Sequence, residues 1–200
     1  MIKQEALFKI SYGLYVLSTK ENGKDNACIV DAFSQVTSTE PFMCVVNVNK
    51  QNFTHDMLTN TKKFNLSVLT KDAPFELFER FGLQSGREKN KFEGYGGKVS
   101  RSGNGLLYFT ENTNAFMSFD VTGTSDFGTH TMFTAKLTES DVLSSDESVT
   151  YSYYREFIKP GPQAKAGWVC SVCGYVYEGE VLPEDYICPL CKAGAAAFVR

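Results

Sequence analysis

The sequence predicts a mainly β protein with short helices, an antiparallel sheet or barrel followed by a small module built on metal knuckles. Three observations carry this. About seven short apolar segments, rich in β-branched and aromatic residues, are separated by turn material. No glycine fingerprint follows a strand and opens a helix, so GYGG and SGNG read as turns and a doubly wound nucleotide fold is not supported. Four of the 6 cysteines form two C-x-x-C pairs, Cys170/Cys173 and Cys188/Cys191, with about fourteen residues between them.

Ile2, Ala6 and Ile10 fall at helical spacing and predict a short lead-in helix. Tyr12 to Ser18 alternates weakly, as a strand does, and the polar ENGKDN turns the chain into a second strand over Ala27–Val36. Pro41 opens FMCVVNV, a nearly continuous apolar run that predicts a buried strand. NFTHDMLTNT reads as a short helix capped by Asn52, and FNLSVLT as a strand. Pro74 starts a helix, PFELFERFG, with Gly82 as terminator. SGREKNKFEGYGGK is a polar, glycine-rich loop. Strands recur at Leu106–Thr110, Ala115–Thr122 and Met132–Val142, with NTN and GTSDFGTH as turns. SSDESVTYSYYREFIK predicts a last helix with Ser or Asp caps. KPGPQAKAG, with two prolines and no large apolar residue, is the linker candidate. The division is a domain over 1–159, a linker over 160–167 and a knuckle module over 168–200.

The larger part, with 42% hydrophobic residues overall, is long enough to bury a core of its own; the small part is not, and a structural metal replaces the missing core. A net charge of -3 gives no electrostatic footprint for nucleic acid. The amino terminus carries no apolar run long enough for a signal peptide or a membrane span. Only Cys28 and Cys44 lie outside metal spacing, so a reducing, cytoplasmic setting is expected. There is no P-loop, no H-E-x-x-H and no nucleophile elbow.

Two facing C-x-x-C turns complete a tetrahedral thiolate site, which suits zinc or iron, and spacing alone puts a structural zinc slightly ahead. Trp168, Tyr175, Tyr177, Tyr186 and Phe198 move the balance, because an apolar aromatic shell tunes a redox iron and is not needed by a structural zinc. CSVCGYVYEGE followed by LPEDYICPLC resembles rubredoxin over the whole module. The resemblance implies one iron, cycling between Fe2+ and Fe3+, on Cys170, Cys173, Cys188 and Cys191; zinc can replace it on overexpression. The chain departs from the pattern in a shorter central loop, in Lys192 where glycine is usual, and in the GAAAF tail.

Residues 1–159 resemble the flavin reductase-like proteins, through NACIVDAFSQVTS, PFMCVVNVNKQNFTHDML, FGLQSGREKNKF and GTHTMF. The resemblance implies an FMN-binding split β-barrel; with the rubredoxin-like module, the whole chain is similar to the fusions known as high-molecular-weight rubredoxins. Asn52 and Thr54 offer donors at a helix start, and Ser85, Arg87 and Lys91 add donors and charge for the FMN phosphate. Either piece alone reads as a helix cap or a solvated loop. Asn26, Ala27 and Cys28 begin the strand that the resemblance sets against the flavin ring, and Gln35, Val36, Thr37, Ser38 and Asn47 fit its ring-edge segments. Cys28 is a small buried hydrophobe rather than a redox thiol. His130, in GTHTMF, is the candidate catalytic residue, to hydrogen-bond the ring or orient a nicotinamide, whereas His55 is expected to be exposed.

The two parts together imply a path from NAD(P)H through FMN to iron and on to a partner redox protein, such as a flavodiiron oxygen or nitric-oxide reductase, in a homodimer with no membrane or nucleic-acid partner. Two alternatives stay open: a flavin reductase that releases reduced flavin above a structural zinc, and an FMN electron carrier without NAD(P)H activity. No ribose-recognition motif distinguishes NADH from NADPH.

Overall fold

The protein is described by a computed structural model covering residues 6, 9–160, 167–172, 174–189 and 193–200. In chain order it contains β1 (Tyr15–Glu21), β2 (Lys24–Val30), β3 (Phe33–Gln35), β4 (Met43–Asn49), α1 (Phe53–Thr61) and β5 (Lys63–Leu69). Then come α2 (Phe75–Phe78), which runs into a π-helical turn over Glu79–Leu83, and β6 (Val99–Arg101), β7 (Leu107–Phe109), β8 (Thr113–Asp126) and β9 (His130–Val142). After α3 (Tyr151–Tyr153) and a second π turn over Tyr154–Ile158, the tail carries β10 (Trp168–Cys170), β11 (Val176–Tyr177) and β12 (Phe198–Val199).

Seven strands form one antiparallel sheet in the order β2-β1-β5-β8-β9-β4-β3. Its first and last members, β2 and β3, are joined by Asp31 and Ala32 alone. Three Cα steps span at most ~11 Å, so the two ends of the sheet lie side by side and the sheet is rolled into a barrel. The Asn47 amide donates to the Ala32 carbonyl at 3.0 Å, carrying the β3–β4 pairing one residue into this seam. The mainly β architecture with short helices is therefore the one expected. Among the described residues no helix is long and apolar enough to cross a membrane.

Side-chain alternation divides the apolar residues between two layers. Leu17, Cys28, Val46, Phe64, Leu66, Phe119 and Phe133 form one buried cluster, together with Leu58 of α1. The alternate positions Val16 and Ala27, with Leu69, join a second cluster with Leu77 and Phe78 of α2 and Phe81 of the π turn. Strands β1, β2 and β5 are thus covered on both faces, and α2 with the loop after it is the outer cover. β4 alternates between buried and half-buried residues along its length, so only one of its faces is packed.

Several boundaries differ from expectation. The turn in ENGKDN shrinks to Asn22 and Gly23, both at positive φ (49° and 79°), and the strands run up to it on either side. The single strand expected over 27–36 breaks at the seam into β2 and β3. β8 and β9 extend into GTSDFGTH until only Phe127, Gly128 and Thr129 remain as loop, because each added residue continues the ladder. Gly82 does not terminate its helix: it lies inside the π turn, where an added Cβ would sit 3.3 Å from Ile29 Cγ1. The long last helix is only α3 and its π turn. The Thr150 hydroxyl is the cap, accepting from the Tyr153 amide at 3.2 Å, while Ser148 and Thr150 make strand-like bridges to Thr70 and Gly13. The lead-in helix expected over residues 2–10 falls largely outside the described residues.

Phe64 and Phe119 stack at 4.8 Å and are both fully buried. Phe119→Ala is expected to cost ~3–5 kcal/mol, read as a lower midpoint in denaturant with the β signature of the folded state retained in water.

Candidate functional site

All five expected phosphate-site residues, Asn52, Thr54, Ser85, Arg87 and Lys91, line one polar cleft of about 590 Å³. The walls are the first turn of α1 and the loop that follows the π turn. Asn52 occupies the N-cap position of α1 but its side chain makes no capping hydrogen bond, so the first-turn amides are not consumed by it. These amides and the positive end of the helix suit an anion.

The other side chains are held from behind. Thr54 is buried; its hydroxyl accepts from Asn26 Nδ2 at 2.9 Å and lies against the Cys28 thiol. Gly86 packs so closely on Asn26 that an added Cβ would sit 2.5 Å from Asn26 Oδ1. Arg87 lies over the Phe53 ring at 5.2 Å and donates to Asp56 Oδ2 at 2.5 Å. Asp56 also meets His55 Nδ1 at 3.3 Å, and His55 Nε2 meets the Thr131 hydroxyl at 2.8 Å. Burial would raise the Asp56 carboxyl, but the hydrogen bonds from Arg87 and His55, helped by their charges, hold it below the usual carboxylate value. His55 is therefore not the exposed residue expected: its ring packs edge-on against Phe133.

Lys91 is 5% exposed, and its ammonium donates to the carbonyls of Ala27 and Phe81, each at 3.0 Å. Burial pulls it below the ordinary lysine value, partly offset by the nearby Cys28. Lys91 is thus the floor of the cleft rather than a loose charge on its rim. Burial raises the thiols of Cys28 and Cys44, which keeps both protonated at neutral pH and fits their packing as small hydrophobes.

The polar cleft continues into an apolar limb of about 300 Å³ lined by Leu14, Ile29, Phe78 and Tyr154, and the two limbs share Asn49, Gly82 and Leu83. All three lie within the segments that carry the family resemblance, but they are not among the expected site residues. Asn49 ends β4, and Gly82 and Leu83 end the π turn.

Other expected residues lie elsewhere. Asn26, Ala27 and Cys28 are buried behind the cleft wall and do not line it. Gln35, Val36, Thr37 and Ser38 belong to β3 and the segment after it, where Thr37 accepts from the Met43 amide at 2.8 Å and Gln35 Nε2 donates to the Thr37 carbonyl at 2.7 Å. Neither they nor Asn47 line the cleft. His130 also stands outside the lining: the β4–β9 register pairs it with Asn49, and its Nδ1 meets the Thr129 hydroxyl at 2.9 Å.

In the tail, Cys170 and Cys188 are fully buried beside Phe198, Trp168, Tyr175, Tyr177 and Tyr186, the aromatic shell expected from the sequence. The Cys170 amide donates to the Tyr175 carbonyl and the Cys188 amide to the Ala193 carbonyl, both at 2.8 Å. Each bond runs from a cysteine amide to the carbonyl five residues on, the same reach in both cysteine segments. Gly174, at φ 79°, supplies the positive φ of the first one. Paired turns with buried sulfurs fit a tetrahedral thiolate centre. Cys173, Cys191 and Lys192 lie outside the described residues.

The flavin reductase like domain family matches residues 7–161, and the rubrerythrin, rubredoxin-like domain matches residues 168–199. The chain is 33% identical over 227 aligned positions to a high molecular weight rubredoxin of Moorella thermoacetica, covering 97% of each. It is 35% identical over 150 residues to a ferric-chelate reductase (NAD(P)H) of Archaeoglobus fulgidus, covering 75% of this chain and 87% of the relative. Among solved structures, an NADH:FAD oxidoreductase of Streptomyces globisporus shares the fold with a TM-score of 0.67 and 15% identity, covering 76% of this chain and 92% of that one.

Because the Asp56 carboxyl is depressed in the folded protein, its contribution to stability is fully present above the unfolded value of about 4 and is lost as pH falls through the folded value. The stability difference between the protein and Asp56→Asn is expected to be constant from neutral pH down to roughly pH 5 and to shrink below it. Denaturant titrations at stepped pH check this.

Proposed function

The chain belongs to the flavin reductase-like domain family and ends in a rubredoxin-like domain, and from this we propose that it is an NAD(P)H-dependent FMN oxidoreductase serving a mononuclear Fe(Cys)4 centre. One observation carries the reading: a polar cleft that runs into an apolar limb, with one residue of each knuckle among the lining, Pro189 in the cleft and Val172 in the limb. FMN has the same two parts, a charged phosphate and a flat apolar ring. Asn52, Thr54, Ser85 and Arg87 would hold the phosphate above the buried charge of Lys91, and Leu14, Ile29, Phe78 and Tyr154 would wall the ring.

Bound FMN would accept the two electrons of a hydride and pass them on singly, which is what a thiolate-held iron can take. The residues of this chain prepare that exchange. Asp56 orients the Arg87 guanidinium, and His55, tied to Thr131, steadies Asp56. Cys170, Cys173, Cys188 and Cys191 would hold the iron, and the aromatic shell excludes water from it. His130 would act on the cleft through its strand partner Asn49, as a positioning residue. The iron would supply one-electron transfer to a partner redox protein, a flavodiiron reductase being the acceptor that the family resemblance implies. The half-buried outer face of β4 would be available to a second copy of the chain in a homodimer, and cysteines set at metal spacing fit a reducing, cytoplasmic setting.

Stopped-flow spectra of FMN- and iron-loaded protein test the reading. NADH or NADPH is expected to bleach the flavin band first and the iron–thiolate bands next. Flavin bleaching without iron bands would point to a reductase with a zinc tail, and no bleaching by either nucleotide to a carrier reduced by another protein. Arg87→Ala is expected to weaken FMN binding by about ten- to a hundredfold, as loss of a charged hydrogen bond does. Fluorescence titration of FMN measures it, and unchanged affinity would remove Arg87 from the phosphate site.

A further inference from the structure

We propose that the rubredoxin-like tail docks on the cleft of its own chain through the tips of its two knuckles, with Leu83 as the residue the two parts share. The proposal rests on the electron path above and says which cleft a given tail serves.

Val172, inside the first C-x-x-C pair, lines the apolar limb, and Pro189, inside the second, lines the polar limb. These two residues sit between cysteine ligands, so the part of the tail nearest its metal is the part turned to the cleft. Leu83, at the end of the π turn, lines both limbs and also packs against the tail cluster around Cys170 and Cys188. One side chain therefore touches the surroundings of both candidate centres. Lys159 adds a polar tie, its ammonium donating to the Val172 carbonyl at 2.9 Å. That carbonyl is only 13 positions further along the same chain.

The contact is light. Val172 remains 49% exposed when docked, as in the small interfaces of transient redox encounters.

Amide hydrogen exchange on the full-length chain tests the docking independently of turnover. Val172→Glu sets a charge in the apolar limb, and Lys159→Met removes the tie without touching either limb. Each is expected to raise the exchange rate of the Glu79–Gln84 segment by on the order of tenfold, while the iron–thiolate absorption persists. If Val172→Glu loses that absorption, Lys159→Met decides alone. Exchange unchanged in the variants overturns the proposal. So does wild-type protection that falls on dilution, because docking within one chain is independent of concentration whereas docking on a neighbour is not. If NAD(P)H fails to reduce the flavin, the electron path falls while the exchange result still stands, so the two failures are distinguishable.

Discussion

A single buried ammonium underlies the candidate site. Lys91 reaches back to the carbonyls of Ala27 in β2 and Phe81 in the π turn. It thereby ties the outer cover of the barrel to the sheet and gives the loop after the π turn a fixed end. An unpaired charge at that depth would be costly, and two carbonyl acceptors offset part of the cost. The position of Ser85 and Arg87 follows from this, since their loop is anchored by Lys91 on one side and by the π turn on the other. A positive charge so placed attracts an anion into the cleft without needing to touch it.

The tail meets the same requirement differently. It has too few residues for a core of its own, and its aromatics are packed around Cys170 and Cys188 rather than around one another alone. The stability of the tail and the surroundings of its metal are therefore one set of contacts. Tyr186 illustrates the overlap: it packs on Tyr177 and Phe198, and its phenol, hydrogen-bonded to Tyr175 and desolvated, is pushed up to about 12.

What was legible in the sequence depended on how local its cause was. The two cysteine turns, the apolar strands and the Asn22–Gly23 turn are written in adjacent residues, and all can be read there. Asn52, Thr54, Ser85, Arg87 and Lys91 were legible as a group through the family resemblance, and the structure brings them to one cleft. What escaped was set by distant partners. His55 is half-buried because Thr131 and Phe133 of β9 come to meet it. Gly82 looked like a helix end because its close neighbour, Ile29, is far away in the chain. The π turns have no composition of their own, and so Leu83 could not be recognised as facing the cleft. His130 and the Gln35–Ser38 stretch carried suggestive residue types, but they lie outside the cleft lining.

The seam at Asp31 and Ala32 also bears on how the protein is made. β2 and β3 are neighbours in the chain, yet the strands that lie between them in the sheet are supplied by residues up to Val142. A growing polypeptide can form the β1–β2 hairpin early, but β4 has no second partner until β9 has emerged. Most of the first domain must therefore be synthesised before the barrel can close, and its assembly is governed by long-range pairing rather than local helix formation. Because the tail emerges later still, the cleft is in place before the knuckles that face it.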